Sequence, residues 1–202
     1  MSHDEAINEY ISLLPSHCKD TFLNVPEVQQ FLQSDLCKET FVPSNWTGIR
    51  MKPVKMKVRE GMPSRVKPAV RSVNPKLYAP SKKEFDRLVT YFYAPSDSPI
   101  CSPLVIAAKA THPFIRFCGD YAVVVNKYMD ASHFPIPNVR RSLEKISKYK
   151  IFLGLDLTNG FHQLPLDEET SRLLTVQTPW GTFRLLFLPE GVPQGPGLLQ
   201  EI

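Results

Sequence analysis

Phe152-Leu-Gly-Leu-Asp156-Leu-Thr-Asn-Gly-Phe161-His-Gln163 is the stretch on which the reading of this chain turns. With Ile151 in front, Ile151–Leu157 is apolar over the length of a strand and is expected as a buried central strand. Asp156 interrupts that run between two leucines, where a carboxylate is costly unless it is hydrogen-bonded, paired or bound to a metal ion. Taken alone, Asp156 could serve as a turn acceptor for Thr158 and Asn159. Its neighbours argue for chemistry. A strand followed by a tight turn would set the ring of Phe161 beside the carboxylate. Upstream, Lys109 and Arg116 sit on one expected hairpin and could lean over the same space to clamp phosphates. A carboxylate, phosphate-holding cations and an aromatic ring are components of metal-assisted phosphoryl transfer.

The hairpin carrying the two cations is expected from Leu104–Ala108 and Phe114–Cys118, with Lys109 at its tip and Arg116 on the return arm. Tyr121–Val125 reads as further extended chain. Ahead of the hairpin, Pro95–Pro103 reads as a loop. A helix precedes it, with Ser81 and Glu84 as a capping box and Phe85, Leu88, Val89 and Phe92 on one face. His133–Pro137 is a rigid extended lead into a helix from Asn138 to near Lys148. Val139, Leu143 and Ile146 should face inward there, and Arg140, Arg141, Lys145 and Lys148 outward. Leu173–Thr178 and Thr182–Phe187 flank Pro179-Trp180-Gly181 and predict a second hairpin. Leu188–Pro196 is a loop, and Gly197–Ile202 begins a helix. Strands and helices mix without strict alternation, which predicts an α+β fold.

The 202 residues are 43% hydrophobic and 22% charged, ordinary soluble usage that excludes collagen, a wholly disordered chain and a repeat array. No apolar stretch approaches the roughly 20 residues needed to cross a bilayer, so no membrane partner is expected. The polar start MSHDEAINEY predicts no secretory signal. Nineteen prolines against nine glycines imply many fixed bends. The four cysteines show no CxxC and no metal-ligand spacing with the five histidines. Free thiols in a reducing cytoplasmic or nuclear compartment are therefore expected, with neither structural zinc nor disulfides.

The net charge of +4 hides a strong polarity. Residues 1–48 carry two basic and seven acidic side chains, and 49–87 carry twelve and three. Residues 88–202 carry ten of each. The expected organisation is an acidic N-terminal segment (1–48), a basic proline-rich linker (49–80) and a folded region (81–202). In the first segment Val28, Phe31, Leu32 and Leu36 share a helical face after Pro26. In the second, Arg50, Lys52, Lys55, Lys57 and Arg59, followed by Arg65, Lys67 and Arg71, would attract a polyanion, with nucleic acid the leading one. The alternative is a solvated connector. Prolines at 53, 63, 68, 75 and 80 should keep this tract extended along a surface.

Taken together, these residues resemble a known family. Phe152 to Gln163 is similar to the first catalytic motif of reverse transcriptases, in the version found in gypsy-type LTR retrotransposon polymerases. Ser98-Pro-Ile-Cys-Ser-Pro103, Lys109, Arg116-Phe-Cys-Gly-Asp120-Tyr and Asn126-Lys match the family's fingers pattern in order, and Phe134-Pro-Ile-Pro137 matches the stretch before its palm helix. Gln177-Thr-Pro-Trp-Gly181, Leu188-Pro-Glu-Gly191 and Pro196-Gly-Leu-Leu-Gln200 resemble its next hairpin and its template- and nucleotide-contacting loop. The resemblance spans roughly residues 74–200. It implies the fingers and incomplete palm of a right-hand polymerase, α+β, with a mixed or antiparallel sheet and packed helices.

By the same resemblance, Asp156 is a catalytic carboxylate and, with the carbonyl of Leu157, a ligand of Mg2+. Lys109, Arg116, Phe161 and Gly191 would contact the incoming deoxynucleoside triphosphate, Phe161 as the gate against a ribose 2′-hydroxyl. Gln200 would lie beneath the RNA template and DNA primer, joined by Arg50, Lys52, Lys55, Lys57 and Arg59. The remaining partner would be the rest of a pol polyprotein, housed in virus-like particles. The chain departs from the pattern at Ala122, where the family has Arg, in the longer Val123–Val125 span, and at Glu190. No Asp-Asp pair occurs in the 202 residues, and one aspartate cannot hold two metal ions, so this stretch alone is expected to be inactive. Three readings stay open: a polymerase region, a degenerate or domesticated remnant that binds nucleic acid, and a structural domain keeping only the fold.

Overall fold

In the computed structural model the chain divides into two units, Met1–Thr47 and Gly48–Ile202. The structure describes residues 5, 8, 11–12, 15–37, 48–110, 114–132, 134–135, 137–150, 152, 157 and 159–202. In the first unit, α1 (Ser16–Leu23) is followed by α2 (Pro26–Gln33), which starts where Pro26 has no N–H to leave unsatisfied. Ser34 ends α2: its N–H and hydroxyl both donate to the Phe31 carbonyl, at 3.0 and 2.6 Å. None of the α2 residues is buried, and Phe31 and Leu36 on the expected apolar face are 44% and 65% exposed.

Residues 49–74, expected as a surface connector, are extended but built into the second unit. Val54 and Met56 are buried while Lys55 and Lys57 are exposed, the period of a strand. Val54 N–H donates to Pro165 O at 2.8 Å, Asp167 N–H donates to Val54 O at 3.0 Å, and Met56 N–H donates to Thr170 Oγ1 at 2.9 Å. Helix α3 (Pro75–Val89) then begins before the expected Ser81. Asn74 is its cap, accepting from Lys76 N–H at 3.0 Å, and Pro75 takes the first helical position. Ser81 is buried inside the helix, and Pro80 removes one bond without ending it.

The sheet comprises β1 (Tyr93–Pro95), β2 (Ser102–Ala108), β3 (Ile115–Gly119), β4 (Val176–Thr178) and β5 (Gly181–Leu185), in the order β1-β5-β4-β2-β3. All neighbours are antiparallel except β2 and β4, so the sheet is mixed. Both predicted hairpins are present. In β2–β3, Ala107 pairs with Arg116 and Ala108 with Ile115. In β4–β5 the turn rests on Gly181, whose φ of 131° suits glycine.

Tyr121–Val125, expected as extended chain, instead forms two 3-10 turns, Tyr121–Val123 and Val125–Tyr128. The turns put Tyr121, Val124 and Val125 all into the core, which strict strand alternation would forbid. Helix α4 (Val139–Ile146) forms where a helix was expected, and the Asn138 side chain caps it by accepting from Arg140 and Arg141 N–H. Its apolar stripe is not inward: Val139, Leu143 and Ile146 are 73%, 56% and 43% exposed. Most of the expected central strand, including Asp156, lies outside the described residues; Phe152 and Leu157 are exposed and in no strand. Helix α5 (Glu168–Leu173) was not foreseen, although Asp167 caps it and Glu168 and Glu169 complement its positive end. Helix α6 (Gly195–Glu201) closes the unit.

The core lies between α3 and the sheet. Phe85, 1% exposed, has its ring 4.9–5.7 Å from those of Tyr93, Phe117, Trp180 and Phe183. Because β3 alternates, Phe117 points into this cluster while Arg116 and Cys118 face the other way.

Candidate functional site

Arg116 stands on the open face of β3, exposed, with Ala107 opposite. Lys109 follows the end of β2; its N–H donates to Phe114 O at 2.8 Å, which continues the ladder by one step. Two positions along the strand from Ala107, Lys109 falls on the same face as Arg116. The hairpin therefore delivers both predicted cations to one side of the sheet.

Two further segments carry predicted site residues. One is the 3-10 turn Gly160–Gln163, entered through Asn159 in the left-handed region at φ 51°. It holds Phe161 half-buried against α6, where a methyl group at Gly195 would meet the Phe161 ring at 3.5 Å. His162 packs against Phe92 in a tilted pair, with ring centroids 4.6 Å apart. The other segment is the loop after β5. Glu190 is exposed there, and Gly191 adopts φ 88°, a conformation that favours glycine.

The electrostatics tie these pieces together. Burial lowers the pKa of His162 from its ordinary 6.5; Glu190 opposes this and Arg116 reinforces it. Burial raises the pKa of the Cys118 thiol, which Arg116 counters and Glu190 adds to. One cation and one carboxylate thus act on the same two half-buried groups.

The loop is sewn down at three points. Asn126 Nδ2 donates to Gly191 O at 2.8 Å, Gln194 Nε2 donates to Lys57 O at 2.9 Å, and Leu188 N–H donates to Leu164 O at 2.9 Å. Asn126 lay in a quoted motif, but its tethering role, like those of Gln194, His162 and Cys118, was not legible before the contacts were known.

The basic tract splits into two groups. Lys55 is paired with Glu169 at 2.6 Å, Arg59 with Asp130 at 3.5 Å, and Arg71 with Asp120 at 2.7 Å. Lys52 and Lys57 are exposed. Gln200 is exposed on α6, and Leu157 is 59% exposed. Among the described residues no group of three or more His, Cys, Asp and Glu side chains could hold a metal ion, and Asp156 lies outside them. The described side chains therefore do not form the expected magnesium site. No described helix is long and apolar enough to cross a membrane.

No family model matches the chain. It is similar to retrovirus-related Pol polyproteins of Drosophila melanogaster: that of transposon 412 is 34% identical over 113 residues, and that of transposon 297 is 32% identical over 111. These matches cover 54% and 52% of the chain but only 9% and 10% of the polyproteins. The Tf2-3 polyprotein of Schizosaccharomyces pombe is 30% identical over 86 residues, 43% of the chain and 6% of that protein. The chain thus spans about a tenth or less of the relatives it matches. Among solved structures, a prototype foamy virus protease-reverse transcriptase mutant superposes with a TM-score of 0.73 over 98% of this chain and 26% of its own, at 21% identity. The foamy viral protease-reverse transcriptase bound to an RNA/DNA hybrid superposes with a TM-score of 0.65 over 88% of this chain and 24% of its own, at 17% identity. The mixed sheet with its packed helices is accordingly the α+β fold of the fingers and part of the palm of a reverse transcriptase, carried on a sequence whose relatives are retrotransposon Pol polyproteins.

Proposed function

We propose that this chain is the fingers and first palm region of a gypsy-type RNA-directed DNA polymerase, acting within a pol polyprotein on RNA template, DNA primer and deoxynucleoside triphosphates. One observation carries the reading: Lys109 and Arg116 share one open face of the β2–β3 hairpin. Two cations carried on a hydrogen-bonded backbone ladder suit the triphosphate of an incoming nucleotide. Phe161, half-buried against Gly195, would be the ring that senses the sugar. Asp156 would contribute one carboxylate to magnesium, whose role in such enzymes is to stabilise charge on the transferring phosphoryl group. The 202 residues hold no Asp-Asp pair, so the remaining ligands would have to come from elsewhere.

Glu190 favours a second reading. A carboxylate that acts on the same thiol as Arg116 opposes a triphosphate, as expected of a domesticated remnant that binds nucleic acid without using nucleotides. Photo-cross-linking of dTTP to the purified chain, pre-bound to an RNA–DNA hybrid, separates the two. The polymerase reading expects labelling that falls at least tenfold in K109A/R116A while hybrid affinity is retained. Hybrid binding without dTTP labelling would overturn it in favour of the remnant.

A further inference from the structure

Phe161 and His162 are consecutive residues of one 3-10 turn, yet they are held very differently. At three residues per turn, neighbouring side chains leave the axis about 120° apart, so the two rings face different parts of the fold. The Phe161 ring lies toward α6, where a methyl group built on Gly195 would stand 3.5 Å away, an ordinary contact distance. Helix α6 therefore bounds that ring on one side without clamping it.

The His162 ring meets a fixed platform. Its centroid is 4.6 Å from that of Phe92, which is 4% exposed. The Phe92 ring in turn lies 5.0 Å from Tyr93 and 6.1 Å from Phe187, so the core holds it from other sides. Burial lowers the His162 pKa from its ordinary 6.5, which keeps the imidazole neutral near pH 7 and fit to pack on an apolar ring. The backbone supplies the rest of the turn's definition. Asn159 enters it in the left-handed region, Leu164 N–H donates to Phe161 O at 3.1 Å, and Ile49 N–H donates to Gln163 O at 2.7 Å. Such bonds set the path of the turn but not the direction of the Phe161 side chain. A rotation of the turn about its own axis would carry that ring toward or away from α6, and the packed imidazole is what resists it.

We propose that His162 is the positioning residue of the sugar gate: seated on Phe92, it fixes the turn so that the ring of Phe161 stands where a ribose 2′-hydroxyl would strike it. The inference rests on the polymerase reading, in which Phe161 senses the sugar, and adds the residue through which the core sets that sense. Selectivity, rather than nucleotide affinity, is then the property that depends on His162. Discrimination by clash is sensitive to small displacements, because the force between atoms changes steeply over a fraction of an ångström. Loss of the imidazole should therefore admit the ribonucleotide while leaving the deoxynucleotide bound.

The test uses the full chain, pre-bound to an RNA–DNA hybrid, and photo-cross-linking of dUTP against UTP, which differ only in the 2′-hydroxyl. In H162A the dUTP/UTP labelling ratio should fall about tenfold, within the range that a small misplacement of a contacting group produces. Labelling by dUTP and affinity for the hybrid should stay near wild type. H162F restores a ring against Phe92 and should recover the ratio to within about twofold. H162Q keeps much of the side-chain volume without a ring and should behave as H162A; it takes that variant's place if H162A does not melt cooperatively. A ratio unchanged in the ringless variant, or one that H162F leaves equally low, would overturn the inference and spare the polymerase reading. A wild-type chain labelled by neither nucleotide would overturn both.

Discussion

Gly119 should be replaceable only if Tyr121 goes with it. A Cβ built on Gly119 would lie inside van der Waals contact of three atoms of the Tyr121 ring, which is 1% exposed and has no room to retreat. The backbone at Gly119 is not in the left-handed region, and the ring is the nearest obstacle to a side chain. Overpacking of this kind costs about 1–3 kcal/mol. Tyr121→Ala removes a large buried ring and should cost about 3–5 kcal/mol, as other aromatic truncations do. With the ring gone, the methyl of Gly119→Ala fills part of the cavity, and alanine is preferred to glycine in a strand by about 0.5–1 kcal/mol. Gly119→Ala should then be neutral or stabilising in the Tyr121→Ala background. The interaction energy of the cycle should therefore be about 1–3 kcal/mol in favour of the double variant, well above the ~0.5 kcal/mol seen for independent sites. Urea unfolding followed by far-ultraviolet circular dichroism measures all four corners. A Gly119→Ala cost that is the same in both backgrounds would refute the claim that this turn is shaped by ring-on-glycine packing.

The half-buried His162 predicts a pH dependence of opposite sign to that of a salt-bridged histidine. Its folded-state pKa lies below 6.5, so its contribution to stability is intact above that pH and is lost as pH falls toward the folded value. The melting temperature of wild type should drop below about pH 6.5, and His162→Gln should flatten that drop; an equal drop in the variant would reject the assignment. Asp167→Ala should cost about 1 kcal/mol through loss of the α5 cap. Burial pushes the Asp167 carboxyl up, but its bonds to Thr170 and the charge of Lys55 outweigh this and hold it below 3.8. Its stabilisation is therefore present above that pH and lost in acid. Asp167→Asn should keep the cap yet lose less stability below about pH 4, and a variant as acid-sensitive as wild type would count against the mechanism.

Local chemistry by itself determined both hairpins, the start of a helix at Asn138 and the placement of Lys109 and Arg116 on one hairpin. Turn residues and strand alternation act over a few residues and leave a direct imprint on sequence. The ordered motifs likewise pointed to a polymerase fold, and the superposition bears this out. Tertiary structure decided the rest. Ser81 matched a capping box, but Asn74 and Pro75 offered a better start, and the helix ran through Pro80. The stripe on α4 was legible as apolar, yet a stripe does not encode its cover, and Val139 remains 73% exposed. The basic tract read as uniform charge, because sequence lists cations without their partners. Only folding set Glu169, Asp130 and Asp120 beside Lys55, Arg59 and Arg71, across sequence separations that no local pattern records. The same holds for Asn126, Gln194 and Lys57: their hydrogen bonds join residues 65 and 137 positions apart, and such a junction exists only once the chain has closed on itself.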